Sequence, residues 1–114
     1  NFGPVSEKNR TVIDVIDKLS QYWKPSKPIN NYYELTDNIP FHEAGLLKLN
    51  CDKALFHLSW EPTLTFEQCI ELVGVWYNEY YNKHNTDLYK LTLRQIRYYC
   101  EMATNKEIGW SLNN

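Results

Sequence analysis

Apolar residues recur at helical spacing in four stretches of the chain. Val12, Ile16, Leu19 and Trp23 fall on one face of a helix predicted from about Val12 to Trp23. Thr11 stands at its N-cap, with Asp14 three residues on as a variant of the capping box, and Pro25 and Pro28 end it. A short second helix, about Cys51 to Leu58, starts from Asn50 as N-cap and cannot continue through Pro62. The third and longest runs from about Phe66 to Asn82. Thr65 and Gln68 make its capping box, and Phe66, Ile70, Val73, Tyr77 and Tyr80 repeat along it. A fourth is predicted from about Leu93 to Met102, with Thr92 and Gln95 as another box.

Between the first two helices the pattern changes. Ile29 to Leu35 is rich in residues that suit an extended chain, and Leu46 to Leu49 reads as a second short strand interrupted by Lys48. Pro40 and Gly45 punctuate the loop between them. The expected class is therefore α/β: a small helix-rich domain with about four helices and two or three short strands. Residues 1–103 form the expected domain. Residues 104–114 form a tail with little pattern beyond Ile108, Trp110 and Leu112, either loose or docked through Trp110.

Composition narrows the function classes. The 114 residues suit one small domain, and 43% hydrophobic content suits a folded one. Nine tyrosines and four tryptophans supply rings that bury their bodies and leave polar tips near water. A net charge of −2 argues against nucleic acid as a partner, since a basic patch is the usual footprint. No apolar run approaches the ~20 residues of a membrane span, and no signal peptide is visible. The three cysteines, Cys51, Cys69 and Cys100, are odd in number and widely spaced, which points to a reducing cytoplasm rather than a disulfide framework. The chain opens on Asn1-Phe2-Gly3-Pro4 with no lead-in, as a piece of something longer would.

Chemistry is sparse. The four glycines, at positions 3, 45, 74 and 109, build neither a Gly-x-Gly-x-x-Gly turn nor a Walker loop, so no cofactor-binding residue is expected. No tyrosine is followed four residues later by a lysine, so the Tyr-x-x-x-Lys acid/base pair of the short-chain dehydrogenases is missing and no catalytic residue is assigned. His42, His57 and His84 lack the spacing of a metal site, and Cys69 reads as a small core residue. One segment stands out, Pro40-Phe41-His42-Glu43-Ala44-Gly45. A His beside a Glu in a loop offers a donor and an acceptor to sugar hydroxyls or to a nearby diphosphate; equally, both can be plain solvated loop residues.

Three longer blocks carry a resemblance. Pro40-Phe41-His42-Glu43-Ala44-Gly45-Leu46-Leu47-Lys48-Leu49, then Asn50-Cys51-Asp52-Lys53-Ala54, then Leu58-Ser59-Trp60-Glu61-Pro62 resemble the CDP-glucose 4,6-dehydratases. The opening Asn1-Phe2-Gly3-Pro4, the pair Trp76-Tyr77, and Thr92-Leu93-Arg94-Gln95-Ile96 are similar to further family segments. The Leu-x-Trp-x-Pro block is shared across sugar-nucleotide epimerases and dehydratases. His-Glu-Ala with Leu-Lys-Leu, and Thr-Leu-x-Gln-Ile, are more specific. Three residues depart from the pattern: Phe41 for Pro, Asn50 for Asp, and Ser59 for a helix-ending Gly.

The resemblance implies the C-terminal, substrate-binding part of an extended short-chain dehydrogenase, inactive alone. Such enzymes bind NAD in an N-terminal Rossmann domain, which is absent here, and act as homo-oligomers. They convert CDP-glucose to CDP-4-dehydro-6-deoxyglucose for the deoxysugars of surface polysaccharides. By that likeness His42 and Glu43 meet the diphosphate of a nucleotide-sugar, and Asn1 and Pro4 line the same cleft. The alternative is a freestanding, non-catalytic sugar-nucleotide-binding or protein-interaction module derived from the same superfamily.

Overall fold

A computed structural model describes residues 1–4, 10–25, 32–34 and 49–112. Four α-helices follow one another: α1 (Val12–Leu19), α2 (Asp52–Leu58), α3 (Phe66–Asn82) and α4 (Leu88–Asn105), with a 3₁₀ turn at Gly109–Ser111. The described residues contain no strand. The α/β expectation is therefore corrected to an all-helical architecture. Of Ile29 to Leu35 only residues 32–34 lie among those described, and they form no ladder; of Leu46 to Leu49 only Leu49 does, and it is irregular. The reason is physical. Strand-forming residues give a strand only where a neighbour completes the hydrogen-bond ladder, and a lone two-stranded ribbon is marginal in water.

Helix starts follow local capping chemistry. Thr11 Oγ1 accepts from Asp14 N at 3.1 Å while Asp14 Oδ2 accepts from Thr11 N at 2.7 Å, a reciprocal box that satisfies two orphan donors. Thr65 and Gln68 repeat it at the head of α3. The fourth helix departs from the expected bounds. It starts a turn earlier, because Asp87 Oδ1 accepts from Lys90 N at 3.1 Å and caps it at Leu88. Thr92 and Gln95 thus lie inside α4, and they hold it to α3 instead of capping it. Thr92 Oγ1 accepts from Trp76 Nε1 at 3.0 Å, and Gln95 Nε2 donates to Leu72 O at 2.8 Å.

Paired positions fix the helix directions. Gln68 reaches Tyr98, Leu72 reaches Gln95 and Trp76 reaches Thr92, so α3 and α4 run antiparallel. Arg10 sits on Phe66 and Glu67, Leu19 and Tyr22 on Gly74, and Lys24 on Asn78, so α1 runs parallel to α3. Gly74 makes the second pairing possible. A Cβ built there would lie 2.6 Å from Tyr22 Cβ and 3.3 Å from Leu19 Cδ1. The helix accepts a cost of ~1 kcal/mol for an interior glycine so that α1 can come close.

The C-terminal end of α4 closes over itself. Glu107 takes the left-handed conformation (φ 55°), and Ile108 N donates back to Ala103 O at 3.0 Å. Ile108 and Ala103 are buried, and Trp110 stacks on Tyr99 with ring centres 5.8 Å apart. As far as Leu112, the final segment docks through Trp110 rather than hanging loose.

Candidate functional site

The residues singled out in the sequence divide into two pairs. His42 and Glu43 lie outside the described residues. Asn1 and Pro4 lie within them, at the ends of an N-terminal segment that packs on both flanks of α2. Asn1 is exposed and Pro4 half-buried. Between them, the Phe2 ring stands edge-on to Trp60, centres 5.0 Å apart at 89°, an arrangement that suits the ring quadrupoles. Gly3 lies against Leu49; a Cβ there would be 3.1 Å from Leu49 Cδ1. Cys51 Sγ faces Gly3 O at 3.9 Å, a weak S–H donor to a carbonyl. Leu49 is the first described residue after the Pro40–Gly45 loop.

Each flank of α2 has its own local cause. Asn50 Oδ1 accepts from Asp52 N at 2.8 Å, and its amide donates to Asp52 Oδ2 at 2.9 Å. The formal N-cap is Cys51, without a side-chain bond; Asn50, one residue earlier, satisfies the first free N–H through an Asx turn. At the other end Ser59 adopts the left-handed conformation, φ 49° and ψ 32°, and Trp60 N donates to Ala54 O at 3.3 Å. The turn that glycine would favour is therefore kept with a serine, at a cost of ~1 kcal/mol. It aims Trp60 at Phe2.

This surface is apolar and open. Ala54 is the one buried residue of α2, whereas Leu55, Phe56 and Leu58 are exposed, Phe56 to 84%. Leu49 and Phe2, on the segments flanking α2, are each exposed by half or more. The segment after α2 is anchored instead. Thr63 is 1% exposed, its carbonyl accepts from Lys106 Nζ at 2.6 Å, and its buried hydroxyl has no partner among the described residues.

Among the described residues, the shifted side chains answer to local structure. The carboxyls held below their ordinary range belong to caps and ion pairs. Asp14 is lowered by the Thr11 backbone N–H and hydroxyl, Asp87 by the Lys90 backbone N–H, and Glu79 by hydrogen bonds from Lys83 and Thr86. Burial pushes the Cys69 thiol up, which suits a packing residue of α3 and opposes a nucleophilic role. Among the described residues no three His, Cys, Asp or Glu side chains converge as metal ligands.

A concave site that sequence reasoning passed over lies at the other end of α3. A cavity of about 420 Å³ is lined by Ile16, Leu19, Trp23, Tyr32, Tyr81 and Asn82, together with Ser20 and Pro25. Trp23 lies flat over Tyr77 and Tyr81, with ring centres 5.0 and 5.4 Å away. The signal available in the sequence was the spacing of Tyr77 and Tyr81, one helical turn apart, opposite a Trp just after α1.

No family profile and no solved structure gives a significant match to the chain. Two characterised proteins do. CDP-glucose 4,6-dehydratase of Salmonella typhimurium is 29% identical over 104 residues, 91% of this chain and 27% of that protein. dTDP-glucose 4,6-dehydratase of Haemophilus influenzae is 35% identical over 83 residues, 68% of this chain and 24% of that protein. The chain thus spans about a quarter of the length of these relatives, and it is similar to a C-terminal portion of the sugar-nucleotide 4,6-dehydratases.

Proposed function

We propose that the chain is the substrate side of a nucleotide-sugar 4,6-dehydratase of the cytoplasm, a lyase whose remaining part holds NAD and the acid/base residues. The observation that carries this reading is the match to two such dehydratases over most of this chain but only a quarter of theirs. The absence of any Tyr-x-x-x-Lys pair from the sequence agrees with it. So do the exposed apolar side chains of Phe2, Leu49, Leu55, Phe56 and Leu58, the kind of surface another domain covers.

In this reading NAD is held outside this chain, whose sequence has no Gly-x-Gly-x-x-Gly turn. Gly74 is buried inside α3 against Tyr22, and Gly3 is tight against Leu49, so neither opens a backbone cradle for a pyrophosphate. The chain's own contribution is to bind and enclose the nucleotide-sugar. In this reading His42 donates to the diphosphate and Glu43 accepts from a sugar hydroxyl. Asn1 and Pro4 shape the rim beside α2. CDP-glucose is the favoured substrate, because His-Glu-Ala with Leu-Lys-Leu resembles the CDP-glucose enzymes.

The test is kinetic and uses the whole protein that contains this chain. His42→Ala should raise KM for CDP-glucose by about tenfold or more, the scale of one charge-assisted hydrogen bond, with a smaller change in kcat. An unchanged KM in both His42→Ala and Glu43→Gln removes the loop from the substrate site. A preference for dTDP-glucose over CDP-glucose keeps the reaction class and overturns the choice of nucleotide.

A further inference from the structure

The end of α4 and the 3₁₀ turn after it form a cleft of about 580 Å³. The described residues that line it are Cys100, Glu101, Thr104 and Asn105 from α4, and Trp110 and Ser111 from the turn that folds back beside the helix.

The polar groups of this cleft are mostly acceptors. The Thr104 hydroxyl donates to Cys100 O at 3.1 Å, and the Ser111 hydroxyl donates to Ile108 O at 2.7 Å. With both protons so engaged, each oxygen offers only lone pairs. The Glu101 carboxylate adds a full negative charge, and among the described residues it makes no ion pair. The backbone acts in the same sense. The cleft lies at the C-terminal end of an 18-residue helix, where aligned peptide dipoles leave partial negative charge, and no basic residue occupies that last turn. Lys106, the C-cap, directs its ammonium to Thr63 O at 2.6 Å.

The remaining wall is Trp110. It stacks on Tyr99 with 12° between the ring planes, so it is ordered before anything binds, and it stays 42% exposed. Tryptophan is the side chain whose ring best attracts a cation, and its apolar body suits an alkyl chain.

We infer that this cleft binds a primary alkylammonium ion. The ammonium carries three N–H donors and no acceptor, the complement of Glu101, Thr104 and Ser111, while its alkyl stem lies against Trp110. An anion would meet the Glu101 carboxylate and the negative end of α4, and a neutral alcohol would gain little from either. The inference goes beyond the dehydratase reading and does not rest on it.

The experiment is an NMR titration of the ¹⁵N-labelled protein with butylammonium at neutral pH, with butanol as the uncharged probe of the same shape. Butylammonium should give saturable shifts at the Trp110 indole N–H and the Ser111 amide, and butanol should give none. Glu101→Gln should weaken binding by about threefold or more, the scale of an exposed ion pair. Raising sodium chloride from about 20 to about 200 mM should weaken wild-type binding as well, a readout that needs no variant. Absence of saturable shifts at Trp110 and Ser111 overturns the proposal. So does equal binding of butanol, an affinity unaltered in folded Glu101→Gln, or an affinity indifferent to salt. Dehydratase activity is read separately, so failure of one reading leaves the other standing.

Discussion

The molecule holds its two ends in different ways. In α1, α3 and α4 the contacts are directional and mutual. Trp76 is bonded to Thr92, Gln95 to Leu72, and Tyr22 is seated where Gly74 has no side chain. Around α2 the contacts are fewer and mostly apolar, and the helix shows water Leu55, Phe56 and Leu58. Both regions are helical and rich in large side chains. The difference is that the first region ties its helices to one another by specific contacts, although Val12, Val73, Tyr80, Tyr89 and Ile96 stay exposed, whereas α2 buries only Ala54. Stability should therefore reside in the first, and association in the second.

That contrast can be broken by substitution. Gly74→Leu forces a side chain into Tyr22 and should cost about 2–3 kcal/mol in urea unfolding. A loss under 1 kcal/mol would mean that α1 is not firmly seated. Thr65→Ala removes the α3 cap and should cost about 1 kcal/mol. Ser59→Gly relieves the left-handed turn after α2 and should stabilise by up to about 1 kcal/mol; no gain would place that turn outside the cooperative unit. Phe56→Ser should change stability by less than about 0.5 kcal/mol, because the ring is already in water, yet it should reduce self-association in sedimentation. A large destabilisation there would show that the α2 patch is part of the core.

The smallest effect is a pH dependence confined to the first region. The Asp14 carboxyl is held below its ordinary value of 3.8 by the Thr11 backbone N–H and then the Thr11 hydroxyl. A lowered folded-state value means stability is present above the unfolded value and is lost as pH falls through the folded one. Unfolding from pH 5 downward should therefore show an acid-dependent loss that Asp14→Asn diminishes. An unaltered acid limb would separate the Thr11 box from stability.

Legibility in the sequence followed the range of the interactions. The α3 bounds and the Thr11 and Thr65 boxes were readable because a cap is settled by residues three apart. The start of α4 was not, since Tyr89 and Lys90 break the apolar period just where Asp87 caps the helix. Thr92 and Gln95 looked like a cap because their spacing is that of a box, but their partners, Trp76 and Leu72, lie across the bundle. Among the described residues the expected strands do not form, for a related reason: extended-chain propensity does not supply a neighbouring strand. In the candidate site, the sequence pointed to Asn1 and Pro4, yet gave no hint that Phe2 and Gly3 between them make the contacts to Trp60 and Leu49. The cavity beside Trp23 was hidden because it is built from three separate segments.

The central claim is that this chain supplies the substrate side of a dehydratase and needs another part to act. The most direct measurement is conversion of CDP-glucose in the presence of NAD, followed by NMR, for the isolated chain and for the whole protein that contains it. The account predicts no turnover by the chain alone and formation of a 4-dehydro-6-deoxy product by the whole protein. Turnover by the isolated chain, or none with either CDP-glucose or dTDP-glucose by the whole protein, would contradict it.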